Sequence, residues 1–244
     1  MNILITGCNG QLGNEMQLLE REHPQHTYYN TDVQELDITS QLVVEQFVAE
    51  NQIDGIVNCA AYTAVDKAEE NKELCTTLNA VAPAYLAAAI EKRGGWLIQI
   101  STDYVFDGTK HTPYVETDTP CPDSVYGSTK LAGEIAVSKF CKRTMIIRTA
   151  WLYSTFGNNF VKTMLRLGRE KSDLGVISWY DFTKAIHRIA GIETCHVRPL
   201  HTAEYPTPAH RPHYSVLDKT KIKQTYGIEV PYWEESLREM INDN

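Results

Sequence analysis

The sequence predicts an α/β fold in which a doubly wound parallel sheet is followed by a smaller C-terminal lobe. Short apolar runs alternate with helical patterns up to Thr149, and the character of the sequence changes after that residue. This alternation is typical of parallel strands joined by crossover helices. Most of the runs are apolar almost throughout, which is typical of strands that helices cover on both faces.

Five runs are the predicted strands. They are NILIT (2 to 6), HTYYN (26 to 30), GIVNCA (55 to 60), WLIQIS (96 to 101) and TMIIRT (144 to 149). All except the second are nearly continuous in apolarity, so we expect helices on both of their faces. Three helices are predicted between these strands. The first begins near Gln11, the second spans 79–91 (NAVAPAYLAAAIE), and the third spans 125–140 (VYGSTKLAGEIAVSKF). We expect the alanine-rich helix to pack closely on the sheet.

The C-terminal part reads as a separate, smaller lobe. It contains an aromatic WYDF segment at 179–182, a proline-rich stretch at 204–212 and a final amphipathic segment. No Gly/Ser linker separates it from the first part, so we expect it to pack directly on the sheet. The predicted domains are residues 1–150 and residues 151–244.

Composition excludes several classes of protein. A chain of 244 residues can bury a sizeable core, and its six cysteines are scattered without a CxxC pair. This cysteine pattern favours reduced thiols in the cytoplasm. The formal net charge of −8 argues against nucleic acid as a partner. We find no export signal and no apolar run that would span a membrane, so we expect a cytoplasmic protein without a membrane partner.

A glycine-rich segment, GCNGQLG, follows the first predicted strand and opens the first predicted helix. Gly7, Gly10 and Gly13 permit a tight turn and a close approach of the backbone to a pyrophosphate, which the helix N-terminus stabilises. Asp32 ends the second strand, where an acid accepts the adenosine ribose hydroxyl of a dinucleotide. The segment predicts a Rossmann-type dinucleotide site. Asp32 indicates that NADH is accepted, and NADPH stays an alternative.

A tyrosine and a lysine, Tyr126 and Lys130, stand four residues apart in a predicted helix and therefore share one face. Tyrosine normally titrates at about 10, so a neighbouring positive charge helps it to transfer a proton at neutral pH. Ser101 and Thr102 end the fourth strand, at the edge where open α/β sheets bind ligands. We expect Thr102, rather than Ser101, to polarise a substrate carbonyl while Tyr126 delivers the proton.

The same spacing recurs at Tyr180 and Lys184, so the spacing alone is weak support. This second pair lies in an aromatic segment, and we expect it to be structural. Asp103, in the segment STDYVFDG (101–108), either contacts a substrate or caps a loop.

Several segments together carry a family signature that runs over almost the whole chain. They are GCNGQLG (7–13), LDIT (36–39), VNCAAYTAVDKAE (57–69), STDYVFDG (101–108), VYGSTKLAGE (125–134), RTAWLY (148–153) and EYPTPAHRPHYSVLD (204–218). In order, spacing and identity they resemble the dTDP-4-dehydrorhamnose reductases, which are extended short-chain dehydrogenases/reductases. The resemblance implies reduction of the 4-keto group of dTDP-4-dehydro-L-rhamnose by NADPH or NADH. It also implies a nucleotide-sugar pocket between the sheet and the C-terminal lobe, and it is compatible with a homodimer.

The resemblance assigns roles to single residues. The catalytic residues are Thr102, Tyr126 and Lys130. The cofactor residues, besides Gly7, Gly10, Gly13 and Asp32, are Gln11, Leu12, Asp37, Ile38, Ala60, Ala61, Tyr62, Tyr126 and Lys130. The substrate residues are Thr63, Val65, Asp66, Thr102, Asp103, Tyr126, Trp151 and Arg211. Arg211 would pair with the substrate pyrophosphate through its fork of N–H groups, or be a solvated loop arginine. Trp151 would otherwise be a core residue.

The sequence departs from the family between Lys171 and Gly175. Members of the family have roughly 40 to 50 further residues there, including strands and a helix that help to cover a parallel sheet. Their loss would affect the edge of the sheet and part of the sugar pocket. Glu15 matches an acid that some relatives use for a metal at a dimer contact, but we find no complete ligand set and predict no metal site.

Two alternative functions stay open. One is a regulatory subunit with the same fold, which binds a dinucleotide without catalysing a reaction. The other is an epimerase or dehydratase that acts on a different nucleotide sugar. The presence of Thr102, Tyr126 and Lys130 together favours an enzyme over the regulatory subunit, and the C-terminal motifs favour the reductase over the other enzymes.

Overall fold

A five-stranded parallel sheet forms the centre of the first of two compact units. The computed structural model of the protein describes residues 1–177, 179–201, 204 and 206–243. The strands of the sheet are β1 (Asn2–Thr6), β2 (Thr27–Thr31), β3 (Gly55–Asn58), β4 (Trp96–Thr102) and β5 (Thr144–Thr149). Their order is β2-β1-β3-β4-β5, so the strand order reverses between β1 and β3. Open α/β sheets bind ligands at such a switch point. The predicted fold class is confirmed.

Helices connect these strands. They are α1 (Gln11–Glu20), α2 (Gln41–Glu50), α3 (Val65–Ala68), α4 (Lys72–Thr76), α5 (Ala82–Lys92) and α6 (Val125–Phe140). A π-helical turn at Thr77–Val81 joins α4 to α5, so the helix predicted to begin at Asn79 begins at Lys72 instead. A 3-10 turn at Asp103–Val105 follows β4. The helix predicted at 125–140 has those bounds.

The core of this unit lies on both faces of the sheet. Leu4, Ile56 and Leu97 pack on one face against residues of α2 and α5, while Ile3 and Val57 pack on the other face. These contacts explain the continuous apolarity of β1 and β3. The sequence analysis found no apolar run that would span a membrane, whereas the helical run Lys72–Lys92 has the length and apolarity of one. Within its apolar 18-residue window, 44% is buried inside the protein, as in the core helix of a globular domain.

The expectation that β5 is covered on both faces is wrong. Every residue of β5 is partly exposed, and β5 is an edge strand that pairs with β4. An edge strand lacks a neighbour on one side and is therefore less covered. The apolar run at 144–149 thus correctly predicts a strand, but the strand is more exposed than its apolarity indicates.

A buried ion pair joins α6 to this edge strand. The guanidinium of Arg148 donates to both carboxylate oxygens of Glu134, through Nε at 2.9 Å and Nη2 at 2.6 Å. The side chain of Glu134 is only 6% exposed and that of Arg148 is 20% exposed. Removing one partner of such a pair leaves the other charge without compensation.

We expect Glu134→Ala to lower the free energy of unfolding by about 3 kcal/mol, because the guanidinium of Arg148 would stay part-buried without its carboxylate. Unfolding in guanidinium chloride, the denaturant, measures this loss of free energy. As a control, Glu170→Ala breaks the exposed pair between Arg166 and Glu170, and it should change the free energy by less than about 0.5 kcal/mol. Equal effects of the two substitutions would contradict the prediction.

A segment from the C-terminal part of the chain, Pro208–Leu217, belongs to the first compact unit. The sequence analysis placed it in the C-terminal lobe. Its backbone accepts a hydrogen bond at Val216 from Tyr114, and Leu217 forms a bridge with Tyr114. The apolar side chains of Tyr214 and Leu217 pack against a small core around Val105. These contacts explain why the segment packs in the first unit, although the residues before and after it in the sequence belong to the second unit.

The second unit comprises Trp151–Thr207 and Asp218–Asn244. Its elements are α7 (Phe160–Glu170), β6 (Asp173–Val176), α8 (Tyr180–Ile189), β7 (His196–Pro199), α9 (Thr220–Tyr226) and α10 (Trp233–Asn242). The strands β6 and β7 form a parallel sheet of their own. Val161, Ile186 and Leu237 are fully buried in its core. The strand β6 begins at the point where the sequence departs from the family pattern.

Candidate active site

The glycine segment forms a tight turn between β1 and α1. Gly7 has a φ of 65°, and a Cβ atom there would lie 2.8 Å from the backbone of Ala60. A Cβ atom on Gly13 would overlap the carbonyl oxygen of Gly7. Gly10, in contrast, has a φ of −75°, and its Cβ would come no closer than 3.2 Å to another atom. Two glycines are therefore required by the turn itself, whereas Gly10 leaves space open beside it.

A cavity of about 300 Å³ opens at the carboxyl ends of β1, β2 and β3. Many of the residues predicted to bind a cofactor line it: Gly7, Gly10, Asp32, Asp37, Ile38, Ala60 and Ala61. The other lining residues are Thr6, Thr31, Val33, Leu36, Thr39, Cys59 and Leu78. Gln11 and Leu12 begin α1 outside this lining, and Gly13 packs beneath the turn. Gly10 is the N-cap residue of α1, and no side chain caps the helix there. A phosphate binds to the backbone N–H groups at a helix N-terminus, so such a group requires an uncapped start of this kind.

Acidic residues set the charge of this cavity. Asp32 Oδ2 accepts a hydrogen bond from the backbone of Asn9 at 3.2 Å, which points its carboxylate at the glycine turn. Asp37 Oδ1 accepts bonds from the backbone and hydroxyl of Thr39, and these bonds lower the pKa of Asp37. No lysine or arginine lines the cavity within the described part of the chain.

Asn79 is a residue that the sequence analysis missed. Its side-chain oxygen accepts from the backbone N–H of Tyr62 at 2.9 Å, and its Nδ2 donates to the Tyr62 carbonyl at 3.1 Å. Nδ2 also lies 3.2 Å from the hydroxyl of Thr129 on α6. Asn79 therefore fixes the backbone at Tyr62, after β3, relative to the helix that carries Tyr126. A polar residue in an alanine-rich run, at a π-helical turn, is the signal that could have revealed it.

The lysine of α6 is buried, and the tyrosine is partly buried. The hydroxyl of Ser124 caps α6 by accepting from Gly127 at 3.1 Å, and Lys130 Nζ donates to the carbonyl of Ile100 on β4 at 2.6 Å. Burial raises the pKa of Tyr126 to about 12 and lowers the pKa of Lys130 to about 8. At neutral pH the phenol is therefore protonated, and the lysine carries its charge. A neutral phenol beside an ammonium group can donate a proton to a developing alkoxide.

Two hydroxyls end β4, as the sequence indicates. Thr102 Oγ1 donates to Asp103 Oδ1 at 2.9 Å and accepts from the backbone N–H of Tyr104 at 3.2 Å. The Thr102 side chain also acts on Tyr126, where it opposes the rise in pKa that burial causes. Ser215 also hydrogen-bonds the Asp103 carboxylate. Ser101 is buried, and its hydroxyl has no hydrogen-bond partner among the residues that the structure describes. Thr102 is therefore the hydroxyl that reaches Tyr126.

Two residues assigned to the substrate are paired with each other. Arg211 donates to both carboxylate oxygens of Asp66, from Nη1 at 3.0 Å and from Nη2 at 2.7 Å. This pair lowers the pKa of Asp66 and ties the segment Pro208–Leu217 to α3. Val65 begins α3, and Thr63 precedes it. Both side chains of the pair are about 39% exposed, so Arg211 would have to leave Asp66 to bind a pyrophosphate with its whole fork.

The remaining candidates lie in the second unit. Trp151 has a φ of 61°, an uncommon conformation for a large side chain, and its ring packs edge-on against Phe160 and Phe182. Its contact with a substrate stays a prediction. Lys184 is exposed and lies over the half-buried ring of Tyr180 at 5.4 Å. This second Tyr–Lys pair forms a surface stack on α8.

The residues described by the structure contain no group of three or more His, Cys, Asp or Glu side chains that could hold a metal ion. Glu15, which resembles a metal-binding acid of some relatives, is a partly buried residue of α1.

Comparison with known proteins gives a consistent set of relatives. The family model described as RmlD substrate binding domain matches residues 1–177 and 171–244. A dTDP-4-dehydrorhamnose reductase of Escherichia coli (strain K12) is 35% identical over 294 residues, which cover 100% of this chain and 98% of that protein.

Solved structures of dTDP-4-dehydrorhamnose reductases are similar to this chain over almost their whole length. The dTDP-4-dehydrorhamnose reductase of Clostridium acetobutylicum is 42% identical, with a TM-score of 0.96 and coverage of 99% of both chains. The enzyme of Bacillus anthracis, solved in complex with NADP, is 34% identical, with a TM-score of 0.95. The match covers 100% of this chain and 99% of the Bacillus anthracis chain.

The comparisons also locate a difference in length. The alignment with the Escherichia coli protein runs over 294 positions, whereas this chain has 244 residues. About 50 positions of that alignment are therefore filled by the relative alone. The two matches of the family model meet at residues 171–177, where β6 begins. At this place the chain runs directly from α7 into β6.

Proposed function

Because this chain belongs to the family described as RmlD substrate binding domain, we propose that it reduces dTDP-4-dehydro-L-rhamnose to dTDP-L-rhamnose with NADPH or NADH. The observation that carries the proposal is the arrangement of Tyr126 and the buried Lys130 on α6 with Thr102 at the end of β4. It lies in the same compact unit as the cavity lined by Gly7 and Gly10.

The residues of this chain supply the proton and the charge for the reduction. A bound nicotinamide would supply the hydride for the keto carbon. Tyr126 then gives its phenolic proton to the oxygen that becomes the 4-hydroxyl. Lys130 stabilises the phenolate that remains, because an opposite charge nearby favours the ionised form. In this proposal Gly7, Gly10 and Asp32 hold the dinucleotide.

The test is a reaction with the authentic keto-sugar. We expect the protein to oxidise NADPH or NADH only when dTDP-4-dehydro-L-rhamnose is present, with formation of dTDP-L-rhamnose. Cofactor binding without oxidation would favour the regulatory subunit. Conversion of a different nucleotide sugar without net cofactor oxidation would favour an epimerase or a dehydratase, because those enzymes regenerate their cofactor within the cycle.

We expect Asp32→Ala to raise the preference of the protein for NADPH over NADH. The Asp32 carboxylate lies at the cavity and faces the glycine turn, so it would repel a 2′-phosphate and accept bonds from free ribose hydroxyls. The quantity to measure is the ratio of the two dissociation constants. A parallel loss of both affinities would show that Asp32 does not discriminate between the two cofactors.

The domains and the cellular setting complete the proposal. Residues 1–150 bind the dinucleotide, and residues 151–244 form the lobe that binds the nucleotide sugar, except for Pro208–Leu217. In this proposal Thr63, Val65, Asp66 and Arg211, all in the first unit, contact the sugar nucleotide. All six cysteines are free, which supports a reducing, cytoplasmic compartment. The proposed partner is the dTDP-linked keto-sugar, without nucleic acid or membrane.

A further inference from the structure

The position of Tyr126 depends on the first turn of α6, because Tyr126 is the second residue of that helix. The first N–H groups of a helix have no partner within the helix. In α6, Ser124 Oγ accepts from the N–H of Gly127 at 3.1 Å. Glu69 Oε1 accepts from the N–H of Val125 at 2.8 Å, although it lies 56 positions away in the sequence. The Glu69 bond therefore ties the start of α6 to a distant part of the chain.

The first turn of α6 also packs against the backbone that follows β4. A Cβ atom on Gly127 would overlap the carbonyl oxygen of Tyr104, so this turn lies directly on the 3-10 turn that comes after Thr102. The ring of Tyr104 lies edge-on to the ring of Tyr126 at 5.5 Å. A shift of the first turn of α6 would therefore move the Tyr126 phenol relative to Thr102.

Glu69 belongs to a part of the chain that is anchored on two sides. It directly follows α3, and the last residue of α3, Ala68, is fully buried. Asp66, on the same helix, accepts from Nη1 and Nη2 of Arg211, which belongs to the segment Pro208–Leu217. The core and this segment thus hold α3 in place, so Glu69 bonds α6 to an element with a fixed position.

We propose that Glu69 is a positioning residue, which places Tyr126 by bonding the start of α6 to α3. The inference rests on the proposed function, in which Tyr126 protonates the keto oxygen. A proton donor must lie within hydrogen-bond reach of its acceptor, and a misplacement of about 1 Å can lower a rate by about a hundredfold. The effect of Glu69 should therefore appear in kcat. Cofactor affinity should be little affected, because the cofactor cavity is lined by other residues.

A carboxylate at a helix N-terminus also stabilises the helix by its charge, and two substitutions separate this effect from the positioning. Glu69→Gln keeps the length of the side chain and an oxygen that can accept from Val125, but it removes the charge. Glu69→Asp keeps the charge but is shorter by a methylene group, so its oxygens should not reach the N–H of Val125. If Glu69 acts by positioning, Glu69→Gln should behave almost as the wild type does, and Glu69→Asp should be impaired.

Steady-state kinetics with the keto-sugar measure this difference, and circular dichroism verifies that each variant is folded. In Glu69→Asp we expect kcat to fall by about tenfold or more, with the dissociation constant of NADH largely unchanged, whereas Glu69→Gln should keep most of the wild-type kcat. The control is Glu70→Ala, because the neighbouring Glu70 is exposed, and it should leave kcat unchanged. Wild-type kcat in Glu69→Asp, or an equal loss in Glu69→Gln, would overturn the proposal.

A second measurement does not require turnover. In the substrate-free protein, the ¹³C NMR resonance of the Tyr126 Cζ atom reports the surroundings of the phenol, and its absence in Tyr126→Phe identifies it. We expect this resonance to move in Glu69→Asp and to stay close to its wild-type position in Glu69→Gln and Glu70→Ala. An unmoved resonance in Glu69→Asp, or an equal movement in Glu69→Gln, would contradict the role of Glu69. A wild type that oxidises neither NADPH nor NADH would instead count against the proposed function alone.

Discussion

Tyr126→Phe should nearly abolish turnover while the protein still binds its dinucleotide. Hydride addition to a keto carbon creates an alkoxide-like oxygen, and a proton must come from a donor within hydrogen-bond reach. Tyr126 is that donor in the proposed mechanism. A phenol is protonated at neutral pH at its ordinary pKa of about 10, and burial raises the pKa of Tyr126 further, to about 12. General acid catalysis contributes about a hundred- to ten-thousand-fold to a rate, so kcat should fall by a factor in that range.

The matched control is Tyr180→Phe, since Tyr180 also precedes a lysine by four residues. Its ring lies beneath the exposed side chain of Lys184 on the surface of α8, so the substitution should leave kcat largely unchanged. Steady-state rates and NADH affinity of both variants are the measurements. High activity in Tyr126→Phe, or its loss in Tyr180→Phe, would mean that the catalytic tyrosine is assigned wrongly.

Lys130→Met should reduce both turnover and cofactor affinity. The ammonium group of Lys130 stabilises the phenolate that forms when Tyr126 gives up its proton. Its Nζ also holds the carbonyl of Ile100 at 2.6 Å, near the carboxyl end of β4. Loss of this contact would disturb the strand that carries Thr102. Equal kcat and dissociation constants in the variant and the wild type would contradict this role.

The fold was predictable because its strongest signals are local. The run TMIIRT and the helix at 125–140 have the predicted bounds, and the alternation of apolar runs with helical patterns predicted the parallel sheet. The start of the alanine-rich helix was wrong because Asn79 resembles a helix boundary, whereas its side chain is buried and bonded to Tyr62. A buried polar residue is hard to distinguish from a capping residue before its partner is known.

Part of the geometry of the candidate site was also predictable, but its long-range pairs were not. The spacing of Tyr126 and Lys130 places both on one helix face, and this requires no tertiary information. The ion pair between Asp66 and Arg211 joins residues 145 positions apart, and neither residue has a neighbour that indicates it. Ser215 reaches Asp103 because the segment Pro208–Leu217 returns to the first unit. Such contacts depend on the path of the chain, which single-sequence patterns do not specify.

Gly10→Val should weaken dinucleotide binding by about a hundredfold or more, which corresponds to roughly 2.7 kcal/mol, and leave the protein folded. Gly10 lines the cavity, and a Cβ there would lie 3.2 Å from the carbonyl oxygen of Gly7. The backbone can accommodate that contact with a small shift. The remaining atoms of valine would then occupy space that a pyrophosphate needs at the start of α1. Calorimetric titration with NADH and NADPH measures the loss, and circular dichroism monitors the fold.

Gly13→Val separates this effect from damage to the turn. A Cβ on Gly13 would overlap the Gly7 carbonyl and lie 2.6 Å from the Cα atom of Cys8, so this variant should be less stable than Gly10→Val. Neither backbone atom can move without changing the turn, whereas Gly10 meets a single atom at a longer distance. Unchanged cofactor affinity in Gly10→Val would remove the glycine turn from the binding site. A loss of stability as large as that of Gly13→Val would mean that Gly10, too, is required by the turn itself.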